Sequence, residues 1–260
     1  RIKNLSLYLL SSIISGAIGI IFNPFLAANL SSQDYSIIGF FSSFSSLFTP
    51  ILNFSLIAYY VRKYFKIQEE KRQITYDTIV TVLLLWGSIA TILITTLFYV
   101  YCLITNVRIP FFPYAIISVL QLFFNNFLLL YQVNCRMKSD AARYFKITLS
   151  GTLISIILSV FLVIVFKYGA MGRLTALLLS SFFIAFFSIK TTYSKFKIEK
   201  NILKEAISFG WPVSCSYILQ YFLLGINMVF LEHLHDVNNM GLFAVATSIS
   251  AYLSFFYIAL

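Results

Sequence analysis

The side chains best placed to do chemistry inside the long apolar segments of this sequence are carboxamides. They recur in or beside those segments as Asn23, Asn53, Gln121, Asn125, Asn126, Gln220 and Asn227. A carboxamide both donates and accepts hydrogen bonds, so these groups can bind sugar hydroxyls in a hydrophilic cavity. They can equally join one helix to another, at about 0.6 kcal/mol and at most about 2 kcal/mol per bond. Both roles stay open, and the candidates for binding a substrate are Asn53, Asn125, Asn126, Gln220 and Asn227.

Three basic residues stand at predicted helix ends, where they can meet an anionic ligand. Arg62 and Lys63 follow the second apolar segment, and Arg173 opens the sixth. Charged donors form strong hydrogen bonds with phosphate oxygens, so these side chains are candidates for contacting a phosphate-bearing substrate. Membrane topology and attraction to lipid head groups explain the same positions equally well.

The sequence offers little for catalysis or metal binding. All nine acidic residues fall in predicted loops or at predicted helix ends, so we expect no carboxylate deep in the apolar segments. His233 and His235 are too few for a metal site. The three cysteines lie in or beside different segments without CxxC spacing, and no nucleotide-binding loop occurs. We therefore predict no metal, no cofactor and no enzymatic activity.

Composition indicates an all-α polytopic membrane protein. Hydrophobic residues make up 60% of the chain and charged residues 11%, and the mean hydropathy is +0.87. Soluble domains have about 45–50% apolar and about 25% charged residues. We predict eight membrane-spanning helices, over residues 5–29, 36–60, 77–104, 113–133, 147–166, 172–189, 207–231 and 241–260. Because the chain starts at Arg1 and ends inside an apolar run, we expect it to be a fragment of a longer protein.

The basic residues predict the orientation of these helices. All of the 19 Lys and Arg residues except Arg108, Lys167 and Arg173 precede the first span or lie in the loops that follow even-numbered spans. The positive-inside rule places that side, and the amino terminus, in the cytoplasm. Topology therefore explains the net charge of +10, and we predict membrane lipids rather than a nucleic acid as contacts of the basic loops.

A similar arrangement of apolar runs and polar turns recurs late in the chain. A short polar turn leads into Tyr35 and again into Met240, an offset of 205 residues, which suggests two similar lobes. Between Thr191 and Ser208, apolar residues at helical spacing alternate with lysines. We therefore predict an amino-terminal six-helix lobe at 1–190, a cytoplasmic amphipathic helical linker at 191–208 and the start of a second lobe at 207–260.

Four stretches in this order resemble the polysaccharide transporter, or oligosaccharide flippase, family of the multidrug/oligosaccharidyl-lipid/polysaccharide exporter superfamily. They are the run from Leu5 to Phe41, the segment Gly169–Ala176, the segment Leu203–Pro212 that ends in Phe-Gly-Trp-Pro, and Met240–Ala246. The sequence departs from the family at Ser36, where many members have Gly, and at Asn227-Met228, where an Asp-Arg pair is common.

The resemblance implies a MATE-like architecture of two six-helix lobes around a central cavity. It implies translocation of undecaprenyl-diphosphate-linked oligosaccharide repeat units from the inner to the outer leaflet of a bacterial inner membrane. The expected partners are the lipid-linked oligosaccharide, membrane lipids, a polysaccharide polymerase and its chain-length machinery. Two alternatives remain: a cation-coupled multidrug or metabolite exporter of the same superfamily, and an integral membrane polysaccharide polymerase or ligase. The exporter usually has a carboxylate in its amino-terminal lobe, and the enzyme is expected to have a large outer loop.

Overall fold

All regular secondary structure in the described part of the chain is helical. A computed structural model describes residues 2–234 and 237–259. The helices are α1 (Ile2–Asn29), α2 (Ser32–Ser43), α3 (Ser45–Asn53), α4 (Leu56–Tyr64), α5 (Glu69–Ile104), α6 (Tyr114–Met137), α7 (Ala141–Ser159, continued by a π-helix, Val160–Val165), α8 (Gly169–Thr192), α9 (Lys200–Leu224), α10 (Asn227–His233) and α11 (Val237–Ala259). The predicted all-α class is confirmed.

Six apolar stretches of helix in the described residues are long enough to cross a membrane. They begin at Ser6, Ser32, Glu69, Tyr114, Ala141 and Gly169. A seventh span forms if α9 and α10, which meet at a bend of 45°, cross together. The eighth predicted span coincides with α11. The predicted order of spans therefore matches the order of helices.

The second span is not the single helix predicted over 36–60. The predicted segment contains α2, α3 and α4. The break between α3 and α4 arises because Phe54 and Ser55 both adopt left-handed backbone conformations, with φ of 46° and 52°. Residues with a Cβ rarely adopt this conformation, and it ends a right-handed helix. Pro50, inside α3, cannot donate a backbone hydrogen bond and weakens the helix just before the break.

Side chains from two other helices bond to the interrupted backbone. The indole nitrogen of Trp86 on α5 donates to the carbonyl of Ile51 at 2.8 Å. The hydroxyl of Ser214 on α9 contacts the Pro50 carbonyl at 3.4 Å. A break in a membrane-spanning helix is tolerated where such partners replace the missing helical bonds. The break is therefore held by tertiary contacts as well as by local sequence.

The predicted helical linker at 191–208 is wrong in its first half. Residues 193–199 have no regular secondary structure, and the helix that begins at Lys200 runs without interruption to Leu224. The extended segment bonds to α5 instead, since the N–H of Ser194 donates to Asp77 and that of Glu199 to the hydroxyl of Thr78. These bonds replace the helical bonds that the sequence spacing suggested.

The expectation that every carboxylate lies in a loop or at a helix end is wrong for Asp77. Helix α5 begins eight residues earlier than the predicted span, which places Asp77 in its third turn, only 5% exposed. Its Oδ1 accepts from the amide of Gln73 at 2.9 Å and from the N–H of Ser194 at 3.2 Å. Hydrogen bonds from neighbouring groups are what allow a carboxylate to be buried.

Helix α2 packs along α11 and touches α8. A Cβ on Gly39 would lie 2.5 Å from the Met228 methyl group and 2.6 Å from the Ala244 Cβ, so the helices meet at this glycine. At the start of α2, Ser31 and Asp34 form a capping box, and the Asp34 Oδ1 also accepts from the N–H of Ala170 in α8 at 2.7 Å. These contacts fix the second span between the sixth and the eighth.

Candidate functional site: cavities along the second span

A stripe of hydroxyl and amide side chains runs down one face of the second span. Ser42, Ser46, Thr49 and Asn53 recur at intervals of three or four residues, which is one face of a helix. Two cavities open onto this stripe. The Ser42 cavity, about 390 Å³, lies towards α8, α10 and α11, and the Asn53 cavity, about 550 Å³, lies towards α6 and α9. Both are lined by Ser45 and Ser46, so the cavities meet at these two serines.

Asn53 and Asn126 form a buried pair beside the break in the second span. The Nδ2 of Asn53 donates to the Oδ1 of Asn126 at 2.9 Å, and the Oδ1 of Asn53 accepts from the N–H of Ser55. Asn126 also donates to the carbonyl of Leu122. Since these bonds occupy both amides, their geometry favours the interhelical role. Asn53 nevertheless lines the Asn53 cavity, opposite the exposed Gln220.

A basic pocket of about 640 Å³ lies between α4 and α9. Its cationic side chains are those of Arg62, Lys63, Lys66 and Lys204. Lys63 pairs with Glu205 at 2.5 Å, and the hydroxyl of Tyr59 donates to the same carboxylate at 2.9 Å. The Arg62 guanidinium lies 4.8 Å from the centre of the Phe209 ring, a cation–π contact. The pocket is thus open at its surface and carries a surplus of positive charge.

A fourth cavity, of about 310 Å³, lies among α1, α6, α7 and α8. Its lining includes several hydroxyl and amide side chains, among them that of Asn125, together with Arg173, and we call it the Asn125 cavity. Arg173 also lines the Ser42 cavity, so its side chain stands between the two. One guanidinium nitrogen donates to the hydroxyl of Ser159 at 2.6 Å. The predicted residues Asn125 and Arg173 are therefore brought together, away from Arg62 and Lys63.

The structure distributes the predicted site residues over several places. Arg62 and Lys63 share the basic pocket, Asn53 and Gln220 share the Asn53 cavity, and Asn227 is exposed at the first residue of α10. The sequence analysis missed several other lining residues: Ser45, Ser46, Lys66, Arg136, Lys204 and Tyr217. The regular spacing of Ser42, Ser46, Thr49 and Asn53 was the available signal for the serines.

The charged side chains that line these cavities are strongly biased towards basic residues. The bases are Arg62, Lys63, Lys66, Arg136, Arg173 and Lys204, and Glu205 is the one carboxylate among the residues lining these four cavities. In the described residues no group of three or more His, Cys, Asp or Glu side chains is arranged to hold a metal ion; His235 lies outside them. The charge of these cavities therefore suits an anionic ligand better than a cationic one.

A family model described as "Polysaccharide biosynthesis protein" matches residues 25–257. The chain belongs to this family. It is 25% identical, over 264 aligned positions, to a Haemophilus influenzae protein named for the Lsg locus, and the match covers 97% of the chain and 62% of that protein. The resemblance to polysaccharide transporters of the exporter superfamily is thus confirmed.

Solved structures of MATE show the fold of this family member. A complex of MATE with MaD3S superposes with a TM-score of 0.61 at 16% identity, covering 98% of the chain. A point mutant of MATE superposes with a TM-score of 0.58 at 18% identity, covering 97% of the chain. The chain spans 66% of each of these structures and 62% of the curated relative. The predicted MATE-like architecture is confirmed as a fold.

Proposed function

We propose that the protein containing this chain moves undecaprenyl-diphosphate-linked oligosaccharide repeat units from the inner to the outer leaflet by alternating access. The export serves the synthesis of a surface polysaccharide such as O-antigen, capsule or exopolysaccharide. The proposed location is the bacterial inner membrane with a cytoplasmic amino terminus, which follows from the distribution of basic residues. A polymerase and its chain-length machinery are the proposed partners, because they would consume the exported repeat unit.

The charge of the cavities is the observation that carries this proposal. Six basic side chains and a single carboxylate line the four cavities. An anionic substrate is attracted to such a surface and a cationic one is repelled. The basic pocket supplies donors for a diphosphate, and Ser45, Ser46 and Thr49 supply hydroxyls for sugars.

The same arrangement accounts for how a polar head group can cross a membrane. Moving sugars and a diphosphate through hydrocarbon without hydrogen bonds is prohibitively unfavourable. The polar stripe of the second span leads from the Asn53 cavity to the Ser42 cavity, past Ser45 and Ser46. The head group would move along this stripe while the polyprenyl chain stays in lipid.

Two other functions are less well supported. A cation-coupled drug exporter of this superfamily usually has a carboxylate in its amino-terminal lobe, whereas Glu205, the one carboxylate lining these cavities, lies on α9, after the predicted amino-terminal lobe. A polymerase or ligase is expected to carry a large outer loop. The longest connection between two described helices is Thr105–Pro113, between α5 and α6.

Deleting the full-length gene and locating the lipid-linked oligosaccharide tests the proposal. An impermeant glycan-modifying enzyme is added to membrane vesicles of known orientation. Accumulation of finished repeat units on the cytoplasmic leaflet is the expected result. Normal export combined with altered resistance to toxic cations would indicate the drug exporter, and unpolymerised units on the outer leaflet would indicate the enzyme.

A further inference from the structure

The basic pocket already holds one anion that belongs to the chain itself, the carboxylate of Glu205. Its Oε2 accepts from the Lys63 ammonium at 2.5 Å and from the Tyr59 hydroxyl at 2.9 Å. Both donors lie on α4, whereas Glu205 lies on α9. The carboxylate thus occupies the position that a phosphate oxygen would take on these donors.

Glu205 neutralises only part of the charge in this pocket. Lys66 and Lys204 also line it, and neither is among the residues that form ion pairs in the described part of the chain. The Glu205 side chain is 56% exposed and that of Lys63 is 31% exposed, and ion pairs this open to water are weak. A diphosphate brings more negative charge and more acceptor oxygens than one carboxylate, so it competes well for the same donors.

The Glu205 contacts also fasten two spans together. One helical turn before Tyr59, a hydrogen bond of 2.8 Å joins the hydroxyls of Ser55, which immediately precedes α4, and Ser214 on α9. A Cβ on Gly210 would collide with the Phe54 carbonyl, which shows how closely α9 approaches the second span. Breaking the Lys63–Glu205 pair therefore removes one of a short series of contacts that hold α4 against α9.

We propose that Glu205 is a tethered competitor for the substrate diphosphate. While no substrate is bound in the basic pocket, the Glu205 carboxylate bonds to Lys63 and Tyr59 and holds α4 against α9. An anionic head group displaces the carboxylate and so removes these contacts between the two helices. This inference rests on the proposed function, because it assigns the diphosphate to the basic pocket. In this role Glu205 controls when an anionic substrate can enter the basic pocket.

Pyrophosphate binding to the full-length protein in lipid nanodiscs tests the competition. Inorganic pyrophosphate is the probe, titrated against the native protein and against Glu205→Gln, Glu199→Gln and Lys63→Gln. We expect Glu205→Gln to bind it more tightly by a factor of about 1.4 to 5, the range set by the strength of an exposed ion pair. Lys63→Gln should bind it more weakly. Glu199→Gln, on the segment before α9 and outside the pocket, should match the native protein.

A cross-linking measurement tests the fastening of the two helices. Ser55→Cys and Ser214→Cys are introduced together, with Cys215 replaced by Ala, and disulfide yield is measured with and without pyrophosphate. We expect pyrophosphate to lower the yield when Glu205 is present, and Glu205→Gln to lower it without pyrophosphate.

The two experiments separate failure of this inference from failure of the proposed function. Equal pyrophosphate affinity in native protein and Glu205→Gln would overturn the competition while leaving the diphosphate pocket intact. A cross-linking yield that neither pyrophosphate nor Glu205→Gln changes would overturn the fastening. Absence of pyrophosphate binding to native protein and Glu205→Gln alike would overturn the assignment of the diphosphate to this pocket as well.

Discussion

Substituting the adjacent residues Asn125 and Asn126 should affect the stability of the protein very differently. Asn126 is 2% exposed, and its amide bonds both to Asn53 and to the Leu122 carbonyl. Asn125 faces the Asn125 cavity and is only partly buried. We therefore expect Asn126→Ala to destabilise the protein and Asn125→Ala to leave its stability nearly unchanged.

The size of the effect follows from the groups left unpaired. Asn126→Ala removes the bond to Asn53 and leaves the Asn53 Nδ2, in a residue 9% exposed, without an acceptor. A buried polar group left unpaired costs about 1–3 kcal/mol. Asn53→Ala should cost more, because it also removes the acceptor for the Ser55 N–H at the break in the second span. The coupling energy between Asn53 and Asn126 should be about 0.6–2 kcal/mol, as for other bonds between membrane helices.

Reversible unfolding in mixed detergent micelles provides the assay. The full-length protein is measured as native, as each single variant, and as the Asn53→Ala/Asn126→Ala double variant, which gives the coupling energy from the cycle. Asn125→Ala serves as the matched control on the same helix. Equal destabilisation by Asn125→Ala and Asn126→Ala, or a coupling energy of zero, would refute the buried pair as the support of the break.

Three further changes test other parts of the structure. Asp34→Ala should lower the free energy of unfolding by about 1.5–3 kcal/mol, because it removes the carboxylate half of the capping box and a charge-assisted bond to α8; calorimetry or unfolding curves that match the native protein would contradict this. Gly39→Val should separate α2 from α11 and so speed the maleimide labelling of a cysteine placed at Ser42. Gly151→Ala is the control: its added Cβ meets only ordinary contacts at 3.7 Å, so the labelling rate should not change. Trp86→Phe should cost about 1–3 kcal/mol, since the Ile51 carbonyl loses its indole donor, and an unchanged unfolding midpoint would count against that role.

The helices of this protein were largely predictable because bilayer thickness imposes long apolar runs. The runs after Leu5 and after Tyr114 correspond to α1 and α6. The break at Phe54 and Ser55 was not predictable, because neither residue is a glycine. Their left-handed conformation is supported by Trp86 and Ser214, which are distant in sequence.

The candidate site was harder to predict from the sequence, because it too depends on contacts between helices that are distant in sequence. Asn125 and Asn126 are the same residue type at neighbouring positions, and only the packing of α6 shows that one faces a cavity and the other faces Asn53. Lys204 was assigned to the linker because the extent of α9 was unknown. Its place in the basic pocket depends on the approach of α9 to α4.

Flipping of a lipid-linked oligosaccharide by the purified full-length protein tests the central claim most directly. Liposomes carry undecaprenyl-diphosphate oligosaccharide, and an impermeant glycosidase reports how much of it reaches the outer leaflet. We predict protein-dependent transfer that falls when Lys66 and Lys204 are both changed to Gln, with lipid lacking the diphosphate transferred poorly by either protein. Transfer that is absent, or that is unaffected by these substitutions while cationic dyes are exported, would contradict the account.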